Sequence, residues 1–137
     1  LQGKRVIIVE DSIIRGTTSR NRIRNLRQIG VKEIHMAISC PPTRHPCPYG
    51  IDFSSKGELV AAEKGEVEAV RRFIGLDSLY YLSIRGMVEA TQMDPRSFCL
   101  ACYSGKYPVP VEEELDKFCM EDRLSCEPQQ DDLPFIS

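Results

Sequence analysis

The sequence predicts an α/β domain built on a parallel sheet, and three observations carry that reading. Val6-Ile7-Ile8-Val9 is a run of four β-branched residues, the pattern of a short strand buried on both faces. Two carboxylates, Glu10 and Asp11, stand where such a strand ends, and Ser12 to Thr18 then pass through one glycine into a helical pattern. A second strand follows that helix, and a strand–helix–strand unit of this length is a parallel crossover.

Each element has its own signal. The first helix is expected from about Thr18 to Ile29: Thr17 or Thr18 offers a cap, Ile23, Leu26 and Ile29 form an apolar stripe, and Gly30 suits the residue past the end. Its arginines, Arg20, Arg22, Arg24 and Arg27, read as the solvated face of an amphipathic helix. Alternation of Ile34, Met36 and Ile38 predicts a strand within Val31–Ser39, with His35 on its opposite face and given no role. Cys40 to Tyr49 carries four prolines and is read as a stiff loop at the same sheet edge as the Ser12–Thr18 loop.

Ser55-Lys56-Gly57-Glu58 is a capping box that opens a helix through Leu59, Val60 and Ala62. Glu66 to Ile74 makes the next helix, closing at Gly75. Leu79–Leu82 is a short strand, Ser83 to about Gln92 a helix, and Pro95 its breaker. Cys99 and Cys102 then fall in a loop-like context that continues to Pro110. A short helix is expected over Val111–Cys119, and the polar, acidic tail from Glu121 is read as disordered.

The 137 residues carry a formal net charge of −2, and no basic stripe points to nucleic acid. No apolar run approaches the ~20 residues of a membrane helix, and Leu1-Gln2-Gly3-Lys4-Arg5 leads into the strand with no secretory signal. The six cysteines (40, 47, 99, 102, 119 and 126) are therefore read as thiols of a reducing cytoplasm, some of them metal-bound. With only about three strands in sight, the chain is expected to be the C-terminal part of a larger protein.

Two constellations carry chemistry. Ligands of open α/β sheets bind beyond the carboxyl ends of the strands, and a helix N-terminus there offers unpaired N–H groups to a phosphate. The adjacent acids suit a metal or a polyol. Neither a P-loop nor a dinucleotide fingerprint is present. Secondly, Cys99-x-x-Cys102 and Cys47 place three thiols on rigid loops, as a cluster or zinc site requires, one ligand short. His45 would complete a zinc site, or a cysteine upstream would complete the set. Cys40, Cys119 and Cys126 are weaker candidates.

Val9-Glu10-Asp11-Ser12-Ile13-Ile14-Arg15-Gly16-Thr17-Thr18, Pro46-Cys47-Pro48-Tyr49-Gly50-Ile51-Asp52 and Cys99-Leu100-Ala101-Cys102-Tyr103-Ser104-Gly105-Lys106-Tyr107-Pro108 occur in this order. Together they resemble the glutamine phosphoribosyl-pyrophosphate (PRPP) amidotransferases, in their cluster-bearing subgroup, over about Gly3 to Pro110. The resemblance implies part of a type I phosphoribosyltransferase domain, a Rossmann-like parallel sheet with cluster-binding loops, over residues 1–110. A helix and tail would follow over 111–137, with a glutaminase domain upstream of this chain.

In that family the activity is synthesis of 5-phosphoribosylamine from PRPP and glutamine-derived ammonia, with release of pyrophosphate and glutamate. This is the first committed step of purine synthesis. The resemblance puts the 5′-phosphate on Ser12, Ile13, Ile14, Arg15, Gly16, Thr17 and Thr18. It gives Glu10 and Asp11 the catalytic role of holding ribose and Mg²⁺, and it implies a 4Fe–4S cluster on Cys47, Cys99, Cys102 and an upstream cysteine. Purine nucleotides as feedback inhibitors, a homo-oligomer and a cytoplasmic location without nucleic-acid or membrane partners come with it. Glu10-Asp11 departs from the family's usual Asp-Asp but keeps the charge. The family's pyrophosphate-binding loop and flexible closing loop are not in this sequence. Other readings are a different type I phosphoribosyltransferase, a PRPP-binding regulator, or a zinc-stabilised interaction module using His45.

Overall fold

A computed structural model describes residues 1–51 and 56–110. Ser55 of the capping box, the helix expected over 111–119, the tail, Cys119 and Cys126 lie outside the described residues. Within them the order is β1 (Arg5–Glu10), α1 (Thr17–Gln28), β2 (Glu33–Ile38), a 3₁₀ turn (Lys56–Glu58), α2 (Val60–Lys64), α3 (Val67–Ile74), β3 (Ser78–Tyr81), α4 (Ile84–Thr91), a 3₁₀ turn (Pro95–Ser97) and α5 (Ala101–Ser104).

The three strands form one parallel sheet in the order β1-β2-β3. Val6 pairs with Ile34 and Ile8 with Met36, while Met36 faces Leu79 and Ile38 faces Tyr81 on the other side. Ile34 and Met36 are completely buried, and Ile38 and Leu79 nearly so. Against them pack Ile23 of α1, Val60 of α2, and Val70 and Ile74 of α3. Burying each such side chain stabilises the fold by about 1.5–3 kcal/mol.

The other face differs from the expectation. Ile7 and Val9 are each 72% exposed, and Tyr80 is 69% exposed. β1 is therefore covered on one face only, because α1, α2 and α3 all lie on the Ile34–Met36 side and no described segment lies on the other. His35 is on this open face, held by hydrogen bonds between Nδ1 and Ser78 Oγ (2.7 Å) and between Nε2 and Glu33 Oε2 (3.3 Å).

Three local expectations change. α1 takes Gly16 as its N-cap, at φ 74°, with no side-chain cap from Thr17 or Thr18. The helix stops at Gln28, so Ile29 is 53% exposed rather than part of the stripe, and Gly30 follows in the left-handed region. The helix expected to start at the capping box is a 3₁₀ turn followed by α2, and Glu58 pairs with Arg15. α3 closes at left-handed Gly75, as the sequence predicts, and the helix expected from Ser83 runs over Ile84–Thr91 with Ser83 as its cap.

Candidate phosphate loop and thiol corner

β1 delivers Glu10 and Asp11 to the carboxyl edge of the sheet, and alternation along the strand separates them. Glu10 lies on the helix-packed face, where its carboxylate forms an ion pair with Arg22 of α1. Asp11, just past the strand, is exposed, and its Oδ1 accepts the Ser12 N–H at 2.8 Å.

The loop from Ser12 to Gly16 is tied down at three points. Ile13 is buried in the core. The Ile14 carbonyl accepts the Val60 N–H at 2.9 Å, and Arg15 Nη2 lies 2.8 Å from Glu58 Oε2. Gly16 then turns the chain into α1 through a positive φ that an L side chain rarely adopts. A Cβ there would also sit 3.3 Å from Phe73 Cε1.

With no side-chain cap and no acid in the first turn of α1, the first N–H groups of the helix and its positive end are left for an anion. A cavity of about 340 Å³ opens here. Glu10 and all seven loop residues predicted from the sequence, Ser12 to Thr18, line it, together with Ser19 and Arg22. Asp11 is not part of that lining. The sequence assigns Ser19 no role and puts Arg22 on the solvated face of the helix, whereas Arg22, one turn past Thr18, lines this cavity and pairs with Glu10.

The second constellation gathers around the end of β2. Ser39 N donates to the Glu10 carbonyl at 3.0 Å, so the proline-rich loop starts beside the acid pair. Cys40 is buried, its Sγ donating to the Pro41 carbonyl at 3.2 Å. Burial pushes this thiol's pKa up, a hydrogen bond with Tyr103 pulls it down, and the charge of Asp11 adds to the rise.

Further along, both Arg44 N and His45 N donate to the Cys102 carbonyl at 3.0 Å. Tyr107 Oη donates to the Pro46 carbonyl at 2.6 Å, and Tyr49 Oη to the Val109 carbonyl at 2.9 Å. The loops carrying Cys47 and Cys99-x-x-Cys102 are thereby clamped together. Cys102 lies in the single turn of α5 rather than in a loop, while Cys99 precedes it and is exposed. Burial raises the Cys102 thiol pKa, and the charges of Cys47 and Cys99 raise it further. Among the described residues no set of three or more His, Cys, Asp or Glu side chains is closed into a metal-holding arrangement. His45 packs on left-handed Gly105.

No protein-family model matches the chain. It is 48% identical over 117 residues to the amidophosphoribosyltransferase of Synechococcus elongatus, covering 85% of this chain and 24% of that protein. To the amidophosphoribosyltransferase of Mycobacterium tuberculosis it is 47% identical over 131 residues, covering 91% and 25%. The fold superposes on the glutamine PRPP amidotransferase of B. subtilis, solved in complex with ADP and GMP, with a TM-score of 0.75 and 45% identity, over 82% of this chain and 26% of that one. The parallel α/β sheet is thus shared with that enzyme at high sequence identity. The chain spans about a quarter of the length of the relatives it matches, and over that span it is a homologue of the amidophosphoribosyltransferases.

Proposed function

We propose that this chain is the PRPP-holding segment of an amidophosphoribosyltransferase, the enzyme that makes 5-phosphoribosylamine from PRPP and glutamine-derived ammonia. The observation that carries the reading is the cavity between Glu10 and the uncapped start of α1, lined by every residue of Ser12–Thr18. Backbone N–H groups at a helix start and the Thr17 and Thr18 hydroxyls suit a 5′-phosphate. Glu10 and Asp11 suit the ribose hydroxyls and would hold Mg²⁺ with the substrate's diphosphate, an arrangement this ion favours. Bound there, the ion would neutralise charge on the leaving pyrophosphate.

Loss of pyrophosphate from the sugar leaves a cation-like centre, so the residues work by alignment and charge placement rather than by proton abstraction. A phosphate anchored at the loop supplies binding energy remote from the bond that breaks. Ammonia would arrive from a glutaminase domain, purine nucleotides would compete at the same loop, and the protein would work in the cytoplasm as a homo-oligomer.

Cys47, Cys99 and Cys102 would hold a 4Fe–4S cluster with a fourth ligand from outside the described residues. Soft thiol donors on two loops that are hydrogen-bonded to each other suit such a cluster, whose part would be structural.

The test is Asp11→Asn in the full-length protein. PRPP-dependent phosphoribosylamine synthesis and PRPP binding should fall while glutamine hydrolysis persists. Unchanged synthesis would remove Asp11 from the site.

A further inference from the structure

α1 is charged against its own dipole. Cations are favoured at a helix C-terminus and disfavoured near the N-terminus, yet α1 carries Arg20 and Arg22 in its first half, Arg24 just past its middle, and no acid in its first turn. Arg22 is neutralised by Glu10. Arg20 and Arg24 have no carboxylate partner among the described residues: Arg20 lies over the Phe73 ring, 5.0 Å from its centroid, and Arg24 is hydrogen-bonded to the neutral side chain of Asn21.

These two guanidiniums, one turn apart, face a groove of about 570 Å³ between α1 and α3. Arg72 of α3 enters from the opposite wall, 3.9 Å from Glu68 and two-thirds exposed, and Arg27 closes one end while committed to Asp77. No carboxylate lines the groove. In a chain of net charge −2, four arginines line one small concave surface with no acid in its lining, and two of them, Arg20 and Arg24, have no carboxylate partner among the described residues, which is the charge pattern of an anion site.

We propose that this groove binds a small ligand carrying two or more linked phosphates, apart from the Ser12–Thr18 loop. The planar fork of arginine matches phosphate oxygens in pairs. The groove has the volume of a small-molecule site. The ligand is selected by charge and not by a base, because the one aromatic ring present, Phe73, already carries Arg20 and Lys64, each 5.0 Å from its centroid. Thr17 lines both the groove and the loop cavity, so the two meet at the start of α1.

Calorimetric titration of the full-length protein with inorganic tripolyphosphate tests this. Arg24→Gln/Arg72→Gln should weaken binding at least about tenfold, as expected for loss of charge-assisted hydrogen bonds, and should retain ribose 5-phosphate binding, which reports an intact fold. Thr18→Ala should weaken ribose 5-phosphate and leave tripolyphosphate bound. Independently of any variant, tripolyphosphate should protect Arg24 and Arg72 of the wild-type protein from phenylglyoxal, read by peptide mass. Tripolyphosphate binding that survives Arg24→Gln/Arg72→Gln but is lost in Thr18→Ala would overturn the site. Citrate bound as tightly would overturn the phosphate class, and tightening with each added nucleotide of a single-stranded oligonucleotide would overturn the small ligand.

Discussion

Glu10 and Arg22 are ion-paired across the cleft between β1 and α1, so an acid assigned to ribose and metal is held by the helix that serves the phosphate. Arg22 is half exposed, and its pair with Glu10 is worth less than about 1 kcal/mol to stability. Its worth lies in aim. Arg22→Ala in the full-length protein is expected to leave the melting temperature within a few degrees of wild type and to lower kcat/KM for PRPP about tenfold, with Arg22→Lys recovering part of the loss. Steady-state kinetics at fixed glutamine checks this. A loss in both variants that tracks a fall in melting temperature would make Arg22 merely structural.

Gly16 is the hinge between the loop and α1. Gly16→Ala forces an L side chain into the left-handed region and pushes its Cβ toward Phe73. The expected cost is about 1–2 kcal/mol, read in urea unfolding, together with weaker ribose 5-phosphate binding. A variant as stable as wild type would show that the turn relaxes without cost.

Asp77 Oδ2 accepts the Ile34 N–H at 2.6 Å and Arg27 Nη2 at 2.6 Å, joining the head of β3 to β2 and α1. The Ile34 hydrogen bond leads in holding this carboxyl below its ordinary range; burial opposes, and Arg27 assists. A lowered carboxyl stabilises the fold fully above its unfolded pKa, about 3.9, and loses that contribution as pH falls through the lower folded value. Asp77→Ala should therefore cost about 1–2 kcal/mol at neutral pH, since the group is partly solvated. The gap from wild type should narrow below about pH 4. A gap that stays constant through acid would assign the loss to packing.

Anaerobic iron, sulfide and zinc analysis of the natively purified full-length protein checks the thiol corner. Iron and sulfide near four each per chain are expected, falling sharply in Cys99→Ser. Zinc alone would break the cluster assignment and turn attention to His45.

Much of the scaffold was legible. Ile34, Met36 and Ile38 announce β2 because a period of two has one structural meaning, and Gly30 and Gly75 end helices where only glycine turns left cheaply. The β1 run is less informative: Val6–Val9 identifies a strand, but an unbroken apolar run does not say how many faces a given segment covers. The cap was misplaced because threonine and glycine both signal a helix start, and the anchored loop selects Gly16. Arg22 beside Glu10, and Arg72 opposite Arg20 and Arg24, depend on how helices are phased and docked against the sheet. One chain position says nothing of that relation. For the thiols, the sequence supplied the ligands and not the clamp, since Tyr107 reaches Pro46 across 61 residues.

That clamp also spans a long stretch of chain. The residues it joins, Tyr49 with Val109 and Tyr107 with Pro46, are separated in the chain by β3, α3 and α4. Closing so long a loop costs entropy, and an assembled sheet lowers that cost by bringing the two segments close. Ligand capture at the thiol corner would thus tie together two segments far apart in the chain, acting as a seal on the fold rather than as its nucleus.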